Sequence, residues 1–495
     1  MSRRLVIGGA AWTVGGYVAM QVFRFAFNVA LAQLVAPKLF GIMALVALVI
    51  QGLQMFSDLG IRQCVIQHPR GDEPVFLNTA WTVQVLRGAI LFLGSLALAW
   101  PMAAFYEESN LLWLVPLAGL GALVYGFSST SLLTYSREVR RGPLVRREVG
   151  VYVVTYTAVV AAVWLLRQSW PGGGTEGWEL VIIATGMIVA PLGEVLLSFT
   201  LRPAAPHRFE WEPEARRELL QFGGWVFVSS ACTFLAAQAD RLMVGKLSLE
   251  TLGVYHIAVV IVALPVGVVM ALAYNLAFPL MSDTIRGGEP ADRAFRRSHR
   301  GLLVVSALLL VGLASVGPPF VRLFYDDRYD TTAALIRYLA IAAWFTAILI
   351  PGELALLALG DTRGLAMGQV VRLAFVSVLL PGGYWLAGLP GLIVGVALGE
   401  LVRYAVLAVY LDRAGIRAYR ADAALTALAG VLLGAYVLAE QATGAQGWGA
   451  VPILGAILQT LFWAALYVAW AAPARLPHGL RWMALRRTKP DGVSP

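Results

Sequence analysis

The chain is a succession of apolar blocks separated by short polar segments, and each block is about 20 residues long, which is what an α-helix needs to cross the hydrocarbon core of a bilayer. Of its 495 residues 59% are apolar and only 14% are charged. Soluble domains are nearer to roughly half apolar and a quarter charged. The sequence therefore predicts an all-α polytopic membrane protein. Its two cysteines and five dispersed histidines have no metal-ligand spacing, so we expect no cofactor.

Basic residues fix the predicted orientation of the chain. We predict about 14 transmembrane helices, at residues 10–34, 39–58, 76–101, 111–134, 148–166, 178–201, 222–245, 252–276, 301–320, 333–353, 365–386, 389–411, 421–440 and 449–472. With the N-terminus inside, the inner segments hold 27 of the 38 Lys and Arg residues, the outer segments hold 5, and 6 lie within spans. This asymmetry predicts that both termini are cytoplasmic. The net charge of +9 then reflects orientation, and no nucleic-acid partner is needed.

A repeated turn indicates two related halves. The segment from Leu34 to Met43 and the segment from Lys246 to Tyr255 each contain a short loop, an apolar pair and a glycine that opens the next span. Gly253 follows Gly41 by 212 residues, which makes span 7 the repeat of span 1. We predict two pseudo-symmetric six-helix lobes, at 1–210 and 211–415, followed by two further spans within 416–475 and a cytoplasmic tail at 476–495. The substrate path of such parallel repeats runs between the lobes.

Polar side chains within the first three spans predict a hydrophilic cavity. Thr13, Tyr17, Gln21, Arg24 and Asn28 follow one another at steps of 3 or 4 and so share one helix face. The next two spans contribute four more polar residues: Gln51, Gln54, Asp58 and Arg87. Charges in hydrocarbon cost about 2.5 to 3.5 kcal/mol each, so they mark functional sites by default. Arginine also presents a fork that suits phosphate, which predicts a cargo with a negative head.

The second lobe carries further charges within its spans. Arg372 lies in span 11, and Glu400 and Arg403 lie one turn apart in span 12, where they either line the cavity or pair with each other. Asp240 lies near the outer end of span 7. Asp58, Asp240 and Glu400 are the candidate residues for coupling to protons or sodium, and no feature of the sequence selects one of them.

Several short segments resemble those of one transporter family. The chain has Asp240-Arg241-Leu242-Met243-Val244-Gly245-Lys246 followed by Leu252-Gly253-Val254-Tyr255. Weaker matches are Gln63–Gln67, Ser136–Glu138, Phe278–Ser282 and Leu359–Arg363. In their order and spacing they resemble the polysaccharide transporter, or Wzx-like oligosaccharide flippase, family. That family belongs to the multidrug/oligosaccharidyl-lipid/polysaccharide (MOP) exporter superfamily, whose fold is MATE-like.

The resemblance implies a flippase of the bacterial inner membrane. Its cargo would be undecaprenyl-diphosphate-linked oligosaccharide, moved from the cytoplasmic to the periplasmic leaflet by alternating access for exopolysaccharide, capsule or O-antigen synthesis. The implied cationic cavity maps onto Arg24, Arg87, Arg372 and Arg403. We expect a monomer in the lipid bilayer, with a polysaccharide polymerase or export complex as candidate partner.

Three other functions stay open at the level of sequence. A lipid II flippase of the same superfamily would share the cationic cavity, and a multidrug exporter would need deep carboxylates instead of the excess of deep arginine. A membrane glycosyltransferase or polymerase would need catalytic carboxylates or histidine on a sizeable loop. The predicted outer loops are only about a dozen residues long and lack histidine, which argues against an enzyme.

Overall fold

The structure is a computed structural model that describes residues 3–57, 61, 65, 70–137, 141–172, 174–201, 207–213, 224–417 and 419–442. Within these ranges all regular secondary structure is helical. The α-helices are α1 (Arg3–Leu34), α2 (Pro37–Phe56), α3 (Pro74–Tyr106), α4 (Leu111–Gly126), α5 (Ser131–Arg137), α6 (Arg141–Ser169), α7 (Glu176–Ser198), α8 (Gly224–Leu247), α9 (Leu249–Leu272), α10 (Phe278–Arg286), α11 (Ala291–Phe324), α12 (Asp330–Ala358), α13 (Thr362–Arg413) and α14 (Tyr419–Ala442).

The predicted class, an all-α membrane protein, is confirmed. Eight helical stretches in the described ranges are long and apolar enough to cross a membrane by length and composition. Every predicted span up to residue 440 overlaps one of the helices above. The last predicted span, 449–472, and the predicted tail lie outside the described residues, so the count of fourteen stays a prediction.

Helix α13 covers two predicted spans because it is broken in the middle. Ala387 and Gly388 have non-helical backbone angles, and Gly388 has a φ of 63°. Glycine tolerates this left-handed region, which strains other residues. The break falls between the predicted spans 365–386 and 389–411.

The helices pack in two sets with the same order of contacts. In the first set, α1–α7, helix α1 packs on α6, α3 on α4, and α4 on α7. In the second set, α8–α13, the corresponding contacts six spans later are α8 on α13, α11 on α12, and α12 on the same α13. We call these sets the first and second lobe. Helix α14 packs on α11, where Asp422 accepts a hydrogen bond from Tyr404 (2.5 Å) and contacts Nε2 of His299 at 2.7 Å.

The lobes meet most closely where α2 crosses α9. A methyl group added to Gly41 would overlap the carbonyl oxygen of Leu249, and one added to Gly253 would overlap the carbonyl oxygen of Pro37. The two contacts are equivalent, because Leu249 and Gly253 each follow their counterparts by the same 212 residues. The repeat read from the sequence therefore corresponds to a local two-fold relation in space, and only glycine fits at its centre.

Further contacts between the lobes lie at the same end of the helices, the end that has few basic residues. Arg328, in a short turn before α12, donates hydrogen bonds to the carbonyl oxygens of Ala32 (3.1 Å) and Val35 (3.2 Å). Nε2 of Gln33 donates to the carbonyl oxygen of Phe324 at 3.3 Å. The side-chain hydrogen bond from Arg328 also lowers the pKa of Asp326, so this carboxylate stays charged and holds Arg328 in place. The structure is thus closed at its arginine-poor end.

Candidate substrate-binding site

The polar face of α1 presents one exposed cation. The side chain of Arg24 is exposed, and within the described residues no carboxylate lies within ion-pairing distance of it. Asn28 donates a hydrogen bond to the carbonyl oxygen of Arg24 at 2.8 Å, and Gln21 lies half-buried one turn before. The structure therefore brings these three predicted residues to one stretch of helix. The side chains of Thr13 and Tyr17 lie outside the described part.

Two tyrosines of α6 support Arg24 from the side. The guanidinium carbon of Arg24 lies 5.7 Å from the ring centre of Tyr152, which packs against Tyr156 with 4.2 Å between ring centres. Phe27 packs edge-on against Tyr156 at 4.5 Å. Such a cation–π contact is worth about 0.5 to 1 kcal/mol at an exposed site, enough to orient the side chain without neutralising it. Sequence reasoning missed both tyrosines, although their spacing of four residues places them on one helix face.

The predicted residues of α2 and α3 form a second group. The side chains of Gln51 and Gln54 are exposed. Gln51 accepts a hydrogen bond from Gln238 of α8 at 3.3 Å, a contact between the lobes. Arg87 donates to Ser57 (3.0 Å) and to the carbonyl oxygen of Gln54 (2.9 Å). Its guanidinium therefore lies at the carboxyl end of α2, where a positive charge is favourable.

The remaining predicted arginines lie in a buried charge network of the second lobe. Arg372 forms an ion pair with Glu400 at 2.9 Å, and Arg403 contacts the same Glu400 at 3.5 Å. Arg403 also pairs with Glu353 of α12. Of the alternatives left open by the sequence, the geometry shows Glu400 and Arg403 paired with each other. We call these two arginines and two glutamates the charge quartet, and its formal charges balance.

Because the quartet is buried, it depends on all of its members. Replacing Arg403 by methionine leaves Glu353 and Glu400 with Arg372 alone, and breaking a buried ion pair in this way costs about 3 to 5 kcal/mol. We expect a clearly lower melting temperature for purified Arg403→Met in detergent. The double variant Arg403→Met/Glu353→Gln keeps the Arg372–Glu400 pair and should recover most of the loss.

The control for this prediction is Arg413→Met, the same change at an exposed position of the same helix. It should melt like the unmodified protein. Equal melting temperatures for Arg403→Met and Arg413→Met would show that the quartet does not stabilise the second lobe.

The candidate coupling residues are distributed differently. Asp240 accepts a hydrogen bond from the buried Tyr255 at 2.5 Å, which joins α8 to α9 near the close glycine contact. Its Oδ1 atom is buried without a hydrogen-bond partner among the described residues. Glu400 belongs to the charge quartet, and Asp58 lies outside the described residues.

Comparison with protein families decides the relationship of the chain. The family described as polysaccharide biosynthesis protein matches residues 30–334, which is more than half of the sequence. The chain belongs to this family. The match begins in α1, near its polar face, and runs through the start of α12, so it covers both sides of the close glycine contact.

Curated relatives of this family member act in polysaccharide synthesis by name. The teichuronic acid biosynthesis protein TuaB of Bacillus subtilis is 21% identical over 62% of this chain and 62% of its own length. The amylovoran biosynthesis protein AmsL of Erwinia amylovora is 26% identical over 52% of this chain and 65% of its own. The chain thus spans less than two thirds of either relative.

Solved structures show that the family member has the fold of MOP-superfamily transporters. The lipid II flippase MurJ, in an inward closed conformation, superposes with a TM-score of 0.69 at 13% identity over 92% of this chain and 98% of that one. An inward-facing multidrug resistance MATE transporter gives a TM-score of 0.60 at 11% identity over 79% and 94%. The predicted resemblance to Wzx-like flippases and the MATE-like fold are confirmed.

Proposed function

We propose that the protein is a flippase that moves undecaprenyl-diphosphate-linked oligosaccharide from the cytoplasmic to the periplasmic leaflet. The observation that carries the proposal is the exposed Arg24 on the polar face of α1, in a member of a polysaccharide biosynthesis family. A diphosphate offers two anionic groups to its guanidinium fork, and such charge-assisted hydrogen bonds are strong. Gln21, Asn28, Gln51 and Gln54 would hydrogen-bond the sugars or the phosphates.

Alternating access would supply the movement. The contacts between the lobes described above lie at the arginine-poor end, which the positive-inside rule assigns to the periplasm. In this proposal the closed end is the outer gate, and the lobes predicted at 1–210 and 211–415 rock about it to expose the cargo outside. Both termini are then cytoplasmic, in the inner membrane. Coupling through Asp58, Asp240 or Glu400 stays a prediction.

A reconstituted assay tests the function. In proteoliposomes carrying a fluorescent undecaprenyl-diphosphate oligosaccharide, the protein should speed the exchange of the label between leaflets, measured as the fraction that a membrane-impermeant quencher reaches. Protein-free liposomes and liposomes with heat-inactivated protein give the background. Exchange no faster than this background would contradict the proposal.

The same vesicles separate the alternatives. Faster exchange of lipid II than of the oligosaccharide lipid would favour a lipid II flippase, and uptake of ethidium without exchange of either lipid would favour a multidrug exporter. Incorporation of labelled sugar into a longer product would indicate an enzyme. The proposal expects exchange of the oligosaccharide lipid with no change in its mass.

A further inference from the structure

A groove follows the seam between α1 and α6. Its volume is about 630 Å³, within the range of roughly 300 to 1,000 Å³ that is typical of ligand sites. Its walls are almost wholly apolar and include Phe23, Val149 and three glycines, Gly15, Gly16 and Gly150. Gly16 packs tightly on α6, whereas a methyl group added to Gly15 or Gly150 would have nothing within 4 Å. The two open glycines therefore leave the space that makes the groove.

The groove has a definite direction. Both helices run from the arginine-rich end towards the arginine-poor end, so Gly15 and Arg146 lie at its inner mouth and Phe23 lies deeper. Eight residues separate Gly15 from Phe23, which corresponds to about 12 Å along the helix. The groove thus reaches from the predicted inner surface towards the middle of the membrane.

Charge is confined to the mouth of the groove. Arg146 is the one charged residue among those that line it. The neighbouring Arg147 forms an ion pair with Glu194 of α7 at 2.7 Å, so its charge is offset. An apolar trough with a cation at its inner end is complementary to a hydrocarbon chain with an anionic head, lying as lipids of the inner leaflet lie.

The deep end of the groove adjoins the proposed diphosphate site. Arg24 follows Phe23 directly and packs on Tyr152 of α6, the helix that forms the other wall. The same two helices therefore offer one cation at the inner surface and a second about 12 Å deeper along α1. A bystander phospholipid has no use for the second cation, whereas a cargo whose head must leave the surface has.

We propose that the groove between α1 and α6 binds the isoprenoid chain of the cargo in the cytoplasmic leaflet, with its diphosphate at Arg146. The inference rests on the proposed function. The chain stays in the groove while the head group passes from Arg146 to Arg24, so the groove is a loading site that precedes the cavity. The sequence predicted only that the chain remains in lipid, because residues 15, 16 and 150 read as ordinary membrane-helix glycines.

Leucine at the open glycines tests the groove. Gly150→Leu and Gly15→Leu fill the space without meeting protein atoms, and Gly312→Leu is the matched control because Gly312 is also a helical glycine with nothing within 4 Å. The probe is a diazirine-bearing undecaprenyl diphosphate in phosphatidylethanolamine vesicles that contain the reconstituted full-length protein. We expect photolabelling of α1 and α6 to fall about tenfold in both groove variants and to be unchanged in Gly312→Leu.

Three outcomes are informative. Unchanged labelling in both groove variants would overturn the proposal, provided that their melting temperatures match that of the control. Equal labelling of the groove by diazirine-bearing phosphatidylglycerol, with competition between the two lipids, would also overturn it and would identify a general lipid site. Loss of prenyl labelling alone would support it.

The test is separable from the proposed function. If groove variants are labelled normally and exchange of the oligosaccharide lipid persists, the loading site is wrong and the flippase assignment stands. If the unmodified protein binds the prenyl probe in the groove but exchanges no oligosaccharide lipid, the flippase assignment fails while the groove remains a binding site. Arg24→Ala should keep groove labelling, because Arg24 lies beyond the groove.

Discussion

Replacing Arg24 by alanine should abolish translocation while the protein stays folded. The side chain is exposed and rests against the ring of Tyr152, so folding loses only about 0.5 to 1 kcal/mol. The cargo would lose a charge-assisted, two-pronged contact, and hydrogen bonds to charged groups contribute about 1.5 to 3 kcal/mol each. We therefore expect the exchange rate of the oligosaccharide lipid to fall by about 100-fold or more.

No other predicted arginine is placed to compensate. Arg87 donates to the last turn of α2, and Arg372 and Arg403 are buried with glutamates. Within the described residues these three are thus engaged by the protein, whereas Arg24 presents its charge outward. Arg24→Lys keeps the charge but not the fork, so it should retain a small part of the activity.

The chain offers a matched control for this substitution. Arg413 is also exposed, and its guanidinium carbon lies 5.4 Å from the ring centre of Tyr410, much as that of Arg24 lies over Tyr152. Arg413→Ala removes the same kind of contact away from the proposed cavity and should leave exchange unchanged. Unimpaired exchange by Arg24→Ala, at equal protein density in the vesicles, would remove Arg24 from the site.

The fold was largely predictable because membrane helices are encoded in local composition. Apolar blocks indicated the helices, and even the break in α13 falls where Gly388 interrupts the pattern. The repeat centred on Gly41 and Gly253 was also readable, since each glycine precedes an apolar helix at the same spacing. The lengths were underestimated at the ends, because polar residues extend helices such as α1 and α11 beyond the hydrocarbon.

The site was less predictable because its chemistry depends on distant partners. Spacing suggested that Glu400 and Arg403 meet, but Glu353 lies fifty residues away from Arg403 and its contact requires the packing of α12 on α13. For the same reason Tyr152 could not be placed beside Arg24. Depth in the membrane separated functional from structural arginines only in part, and burial with acids made the further distinction.

A methyl group at the crossing of α2 and α9 should arrest the proposed cycle. In Gly41→Ala and in Gly253→Ala the new methyl group overlaps a backbone carbonyl oxygen, which cannot move aside as a flexible side chain would. Relief requires the outer ends of the two lobes to separate, against an overpacking cost of about 1 to 3 kcal/mol. We expect exchange of the oligosaccharide lipid to fall about tenfold or more in each variant.

A disulfide reports whether the outer end has opened. Cysteines at Gln33 and Phe324, where a hydrogen bond of 3.3 Å now joins the lobes, should cross-link readily in an otherwise unmodified protein. The yield should drop when Gly41→Ala or Gly253→Ala is added, and it should stay high with Gly312→Ala, where a methyl group meets nothing. Because the two contacts are equivalent, both glycine variants should lose cross-linking to a similar degree. A variant that cross-links and exchanges lipid at the unmodified rate would show that this crossing is not the outer gate.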